Sequence, residues 1–303
     1  MANYALSVVI PTYNRPQLVQ RAVASVLAQA DAAMPIEVIV VDDASATPLP
    51  AFSSPHVRTH RMASNGGPGP AKMQGMRMAS APLALMLDDD DTLRVDAVRT
   101  LFAALARQAL DAFPVVQFAC GERQIEGDFC QKTFADYMAG RVLGDFTPVF
   151  RVGLFLQSAL SYPDSRVGGE HLLWWRVTER YGAIPSFAAR LVDVSANASI
   201  RLTDPSSQIR HAEDHLMLAD TGLAEFGERL RAAYPLPYRR LMLARFTYAA
   251  LSGRPREARA SLVEMPLGRG LKLALRAISY LPLPVVRAAF LLYRRSQRLA
   301  HAH

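Results

Sequence analysis

The sequence predicts an α/β fold: a mostly parallel sheet flanked by helices, followed by a helical C-terminal extension. Three observations predict it. Apolar runs alternate with helical periodicity over the first 120 residues, the pattern of a sheet covered on both faces. The run Leu83-Ala84-Leu85-Met86-Leu87 sits between Pro82 and four aspartates, Asp88 to Asp91, and reads as a buried strand. Three such runs end in polar clusters: Thr12-Tyr13-Asn14-Arg15, Asp42-Asp43-Ala44-Ser45 and Asp88–Asp91. In a parallel sheet these clusters share one edge, where ligands of open α/β sheets bind.

Taken in order, Ala5 to Ile10 is an apolar strand stopped by Pro11. Asn14 is positioned to cap a helix with Pro16 in its first turn, and Leu18, Val19, Ala22, Val23, Val26 and Leu27 recur at helical spacing. Ile36 to Val41 is a second buried strand and His56 to Arg61 a short third one. The Asn65–Pro70 turn opens a helix through Ala79, and the acidic-ended strand follows. A helix is expected over Leu93–Leu110 and a strand over Val115–Ala119. Residues 121–165 have no clear period. Gly168-Gly169-Glu170 opens a helix to about Tyr181, Ala188–Val194 reads as a strand, and the chain is helical from Ser207 onward. This divides the chain into an α/β part, 1–120, a more loosely patterned part, 121–205, and a basic helical extension, 206–303.

Composition is that of an ordinary globular protein, half hydrophobic and one-fifth charged. The N-terminus, Met1-Ala2-Asn3-Tyr4, has no basic region or cleavage site, which points to the cytoplasm. Cys120 and Cys130 read as reduced thiols there, and no CxxC or HExxH pattern suggests zinc. The Asn197-Ala198-Ser199 sequon carries no weight in that compartment. Charge is uneven. Residues 1–235 hold 21 Lys+Arg and 25 Asp+Glu, a net of −4, whereas residues 236–303 hold 13 and 2, a net of +11. The basic end therefore points to a polyanionic partner.

Four adjacent carboxylates repel one another, and a divalent cation relieves that repulsion. Magnesium typically takes one or two carboxylates plus substrate phosphates. The competing reading of Asp88–Asp91 is a solvated acidic loop.

The motifs, in their order, resemble the family 2 glycosyltransferases. Ser7-Val8-Val9-Ile10-Pro11-Thr12-Tyr13-Asn14-Arg15 is similar to that family's opening, Glu37 to Ser45 to its second-strand motif, and Leu87 to Asp91 to its metal-binding motif. The resemblance covers roughly residues 5–200. It implies a GT-A fold, Rossmann-like, with a nucleotide-diphosphate sugar donor, a divalent metal (Mn or Mg) and usually inversion at the sugar carbon. Carried over by position, Pro11, Thr12 and Tyr13 hold the nucleoside, with Arg15 and Asp89 in the same nucleotide-binding set. Asp43 bonds the base, Asp88 lies on the ribose side, Asp90 binds the metal and Asp91 supports the site. Lys72 stands where the family often has Arg near the nucleotide, although Met73 replaces the usual neighbouring Asn. Gly169-Glu170-His171-Leu172-Leu173-Trp174-Trp175-Arg176 resembles the family's later acidic motif, and alignment on Trp174 and Arg176 gives Glu170 the role of catalytic base. The other reading of Glu170 is a first-turn acid favoured by the helix dipole. Val194–Ser199 lacks the His that many members use as a further ligand, and His211 and His215 downstream read as structural or exposed.

The resemblance implies transfer of a sugar to an acceptor hydroxyl, on a saccharide or lipid-linked acceptor, in cell-surface polysaccharide or lipopolysaccharide synthesis. Two other readings compete. A sugar nucleotidylyltransferase would carry a Gly-rich signature after the first strand, where this chain has Pro11-Thr12-Tyr13-Asn14. A non-catalytic nucleotide-sugar-binding or membrane scaffold protein would not require Asp88, Asp90 and Glu170. From Gly268 onward apolar residues interleave with Arg269, Lys272, Arg276, Arg287, Arg294, Arg295 and Arg298. Pro282 and Pro284 argue against a spanning helix, so a peripheral contact with the inner face of the cytoplasmic membrane is expected. The alternative is a helical pair packed on the protein. Nucleic acid is not expected, since no aromatic platform accompanies the charge.

Overall fold

The computed structural model of the protein describes residues 4–29, 34–122, 124–142, 144–195 and 204–300. The chain divides into two units, Met1–Ala198 and Ser199–His303. The first is built on one eight-stranded sheet. In chain order its elements are β1 (Leu6–Thr12), α1 (Pro16–Leu27), β2 (Ile36–Asp42), β3 (Val57–Arg61), α2 (Pro68–Met78), β4 (Leu83–Met86), β5 (Thr92–Leu93) and α3 (Ala97–Ala106). There follow β6 (Val115–Ala119), β7 (Phe129–Thr133), α4 (Phe134–Met138), β8 (Phe146–Arg151), α5 (Val152–Gln157), α6 (Glu170–Tyr181), β9 (Ala183–Phe187) and β10 (Val192–Asp193).

The strand order is β3-β2-β1-β4-β8-β6-β9-β7, with β5 and β10 forming a separate two-stranded ladder. β1 pairs in parallel with both β2 and β4, β2 with β3, and β6 with β9. Only β8 and the edge strand β7 run against the rest. The chain winds outward from β1 to β3 and then returns to β4 on the other side of β1. That reversal opens a crevice beyond the carboxyl ends of β1 and β4, the usual ligand position in such sheets.

The period of two along β1 divides the core. Leu6, Val8 and Ile10 pack with Val19, Val23 and Val26 of α1 and Leu101 of α3. Val9 faces the opposite layer, with Met73 and Met76 of α2 and Leu173, Trp174 and Val177 of α6. Strands buried on both faces read as unbroken apolar runs, which explains why these were visible in the sequence. Gly75 allows α2 to lie directly on β1, since a Cβ there would sit 2.2 Å from Val9 Cγ1.

Four expectations change. Pro11 does not stop β1, which runs on to Thr12, and the Thr12 carbonyl accepts the Asp43 N–H. Asn14 is not a cap: it adopts a left-handed conformation, its Oδ1 accepts the Ala46 N–H, and Arg15 occupies the cap position. Leu93 lies in β5, paired with Val192, so the helix begins only at Ala97. The strand expected over Ala188–Val194 is instead β9, which ends at Phe187, and the short β10. β9 forms because Cys130 on one side and Gln117 on the other pair with Ser186.

The second unit is helical: α7 (Pro205–Arg210), α8 (Ala212–Ala233), α9 (Pro235–Leu251), α10 (Pro255–Glu264), α11 (Arg269–Ile278) and α12 (Leu283–Ala300). Pro205, Pro235 and Pro255 each start a helix, where the missing N–H costs nothing. His215 stacks on Tyr248 with ring centroids 4.4 Å apart, and burial pushes its imidazole down to about 4. The Asn197 sequon and residues 196–199 of the sequence reading lie outside the described residues.

Candidate functional site

The crevice is held together by carboxylates that serve as ties. Asp42, the last residue of β2, accepts Arg61 Nη1 at 2.6 Å and the Ser45 N–H at 2.9 Å. Asp43 accepts the Gly66 N–H at 2.9 Å and the Gly67 N–H at 2.7 Å, one on each oxygen. Burial pushes the Asp43 carboxyl up while these two donors pull it back. Gly67 is required there. Its φ is +91°, and a Cβ would meet the Ser165 carbonyl oxygen at 2.4 Å. The start of α2 is thereby fixed against the segment that leads into α6.

Beyond β4 the four aspartates diverge. Asp89 turns inward, where its Oδ2 accepts Thr12 Oγ1 at 2.7 Å and its Oδ1 accepts Arg15 Nη1 at 2.9 Å. Burial raises its pKa against those two partners. Asp90 stands 3.4 Å from Arg15 Nη1, and its carbonyl accepts Arg21 Nη2. Asp91 accepts the Ser195 N–H at 2.9 Å, and burial pushes its carboxyl up to about 6. Asp88 faces outward, its side chain 59% exposed.

Lys72 connects this acidic end to Glu170. Its Nζ lies 3.0 Å from Asp88 Oδ1 and 2.7 Å from Glu170 Oε1, with the Tyr162 ring centroid 5.7 Å away. The Lys72 side chain is 6% exposed and that of Glu170 is 35% exposed. Burial alone would drive the ammonium to lose its proton, but Asp88 and Glu170 hold its pKa well above the usual lysine range. The same lysine lowers the pKa of Asp88. Glu170 is the first residue of α6, reached through Gly168 and Gly169, both at positive φ.

The structure thus brings Thr12, Arg15, Lys72, Asp88, Asp89, Asp90 and Glu170 into one linked cluster at the sheet edge. Pro11 is buried in β1, Tyr13 is exposed beside it, and Asp43 borders the cluster through the Gly66–Gly67 turn. Sequence reading named Ser45 and Glu37 only as motif members, without a role: Ser45 Oγ accepts the Asn14 N–H, and Glu37 accepts Ser7 Oγ at 2.6 Å and Arg58 Nη2 at 2.6 Å. Glu37 is a structural anchor between β1, β2 and β3. Its buried position inside an apolar run was the available signal. Cys120 and Cys130 are free thiols. His211 pairs with Asp214 at 3.6 Å inside the second unit.

Among the described residues no three His, Cys, Asp or Glu side chains gather as a complete metal-ligand set. The outward carboxylates nonetheless suit a hard cation that takes one or two carboxylates and completes its shell with phosphates and water. Asp90, whose carboxylate stands 3.4 Å from Arg15 Nη1, has oxygen lone pairs to give such an ion.

Comparison with known proteins places this geometry. Residues 7–144 match the sequence model described as Glycosyl transferase family 2. The succinoglycan biosynthesis protein ExoO of Rhizobium meliloti is 38% identical over 116 residues, covering 36% of this chain and 33% of that protein. The match therefore spans about a third of the curated relative's length. Among solved structures, S. aureus TarS residues 1–349 in complex with UDP-GlcNAc superposes with a TM-score of 0.54 at 14% identity, over 96% of this chain and 92% of that one. The mannosyltransferase PcManGT from Pyrobaculum calidifontis, in complex with GDP-Man and Mn2+, gives a TM-score of 0.52 at 16% identity, over 97% and 88%. These likenesses establish a shared fold.

Proposed function

With residues 7–144 a family 2 glycosyltransferase domain on a GT-A sheet, we propose that the protein transfers a sugar from a nucleotide-diphosphate donor to an acceptor hydroxyl, with inversion at the sugar carbon. One observation carries the reading. Glu170 lies 98 residues from Lys72 in sequence, yet one ammonium joins it to the acidic strand end. A candidate base and a candidate donor site thereby face one crevice. The bound ligands of TarS and PcManGT support a nucleotide-sugar donor. The role of ExoO supports an acceptor, saccharide or lipid-linked, in cell-surface polysaccharide assembly.

Pro11, Thr12, Tyr13 and Arg15 would line the nucleoside side, with Asp43 toward the base and Asp88 toward the ribose. Asp89 holds Thr12 and Arg15 in place for that task. Asp90 would hold a divalent Mn or Mg ion. When bound, that ion would neutralise charge on the departing diphosphate. Glu170 takes the acceptor's hydroxyl proton as that oxygen bonds to the anomeric carbon. The bond from that carbon to the diphosphate oxygen breaks, and its electron pair leaves with the nucleoside diphosphate. Attack and departure on opposite faces give inversion.

The second unit would bring the enzyme to the inner face of an anionic membrane. α11 has no buried residue. At 3.6 residues per turn, Leu271, Ala274, Leu275 and Ile278 fall on one side and Arg269, Lys272 and Arg276 on the other. Arg259, Lys272 and Arg276 line a cleft between α10 and α11 that suits lipid phosphates. No described helix is long and apolar enough to cross a membrane.

The direct test of activity is release of nucleoside diphosphate from a panel of sugar donors, with and without Mn2+ or Mg2+. Metal-dependent release that disappears in Asp90→Ala supports the reading. Absence of release from every donor and acceptor pair would remove it.

A further inference from the structure

The geometry points to Lys72 as a positioning residue for Glu170, serving the reaction through that carboxylate and Asp88 rather than by touching the donor's phosphates. The inference rests on the reading of Glu170 as base. It assigns Lys72 a different task from that of a phosphate-binding cation.

Exposure and contact set the argument. The two carboxylates are open, with side chains 59% and 35% exposed, whereas the lysine between them is 6% exposed. An arriving substrate meets the carboxylates, and the ammonium lies behind them. Lys72 spends its charge on two oxygens at 3.0 and 2.7 Å, distances of charge-assisted hydrogen bonds. Reaching a diphosphate would require it to leave both partners and its place near the Tyr162 ring.

The surrounding backbone is rigid in the way a positioning device needs. Lys72 is on α2, whose Gly75 lies against Val9 and whose Gly69 would place a Cβ 2.4 Å from the Pro163 carbonyl oxygen. Glu170 follows the same 162–169 segment into α6. One ammonium therefore transmits the position of α2 to the carboxylate that receives the proton. A glutamate at a helix start has several rotamers, and the lysine selects one. A misplacement of about 1 Å at a general base costs on the order of 100-fold in rate. Lys72 also stands between the Asp88 and Glu170 carboxylates, in contact with both.

A double-mutant cycle tests this. Lys72→Met, Glu170→Gln and the double variant are compared for kcat and for donor Kd by calorimetry with metal present, and thermal melts check folding. Lys72→Met is expected to lower kcat by about 10- to 100-fold with donor Kd within a few-fold. In the Glu170→Gln background the same change should cost less than about threefold, because the path through Glu170 is already gone. Lys72→Arg, which restores the cation, should recover most of the turnover and carries the cycle if the Met variant melts early. Equal losses in both backgrounds, or a donor Kd raised more than about tenfold with kcat kept, would overturn the inference and place Lys72 on the diphosphate. Near-normal turnover of Glu170→Gln would remove the base reading as well, and so separates the two failures.

Discussion

Thr12 Oγ1 donates to Asp89 Oδ2 at 2.7 Å, joining the end of β1 to the turn after β4 across the reversal of strand order. The pair is buried, and Arg15 completes it from the next turn. Asp89→Ala removes the acceptor of the Thr12 hydroxyl and the 2.9 Å carboxylate contact of Arg15. Breaking a buried ion pair costs about 3–5 kcal/mol, and the partial exposure of Arg15 reduces that to roughly 2–3 kcal/mol. Asp89→Asn keeps the acceptor for Thr12 and should cost about 1 kcal/mol. Urea midpoints of the two variants check the ranking. Equal midpoints for Asp89→Ala and wild type would mean that this tie does not hold the crevice.

Asp91 gives a pH dependence of definite sign. Its carboxyl is pushed up from 3.8 to about 6 by burial, so the folded state holds a proton that the unfolded state has already released. Stability contributed by this group is full below about pH 4 and falls as pH rises through 6. Asp91→Asn retains an acceptor for the Ser195 N–H and lacks the buried charge. It should be roughly 1 kcal/mol more stable than wild type at pH 7.5, after allowance for solvent screening, and equal to it near pH 4. Melts at the two pH values measure the difference. A variant less stable than wild type at pH 7.5 contradicts the assignment.

The outward face of α11 predicts membrane binding with two separable components. Leu271→Asp with Ile278→Asp should release the protein from vesicles containing anionic lipid. Raising the salt to about 0.5 M should weaken binding of the intact chain, since screening acts on the basic side alone. Binding to purely zwitterionic vesicles should be weak throughout. Unchanged vesicle binding by the double variant would leave α11 as a packing or self-association surface, which sedimentation would then show.

Much of the fold was legible because the central strands are buried on both faces. β1, β2 and β4 are buried throughout and mostly apolar, and the polar residues that follow each of them mark the sheet edge. The unpatterned region hid β7, an edge strand whose residues are mostly half-buried, and β8, which contains Pro148, while Pro185 masked β9 farther along the chain. Leu93 fitted a helical period but was drawn into a two-residue ladder by Val192, a tertiary contact with no local signature. At the site the acidic run was plain, yet its division into inward Asp89 and outward Asp88 was not, because four identical side chains carry no directional signal. The bridge from Lys72 to Glu170 was also invisible. No periodicity connects residues on two different helices.

The central claim is that Glu170 takes the acceptor's proton and does not bind the donor. The most direct measurement is kcat of Glu170→Gln beside its donor Kd, with metal present. Gln keeps the size and hydrogen bonding of the side chain but cannot accept the proton at neutral pH. The account predicts a kcat lower by about 10² to 10⁴ with donor Kd within a few-fold, the mark of an interaction made only in the transition state. A near-normal kcat, or a weakened donor Kd with turnover kept, would contradict it.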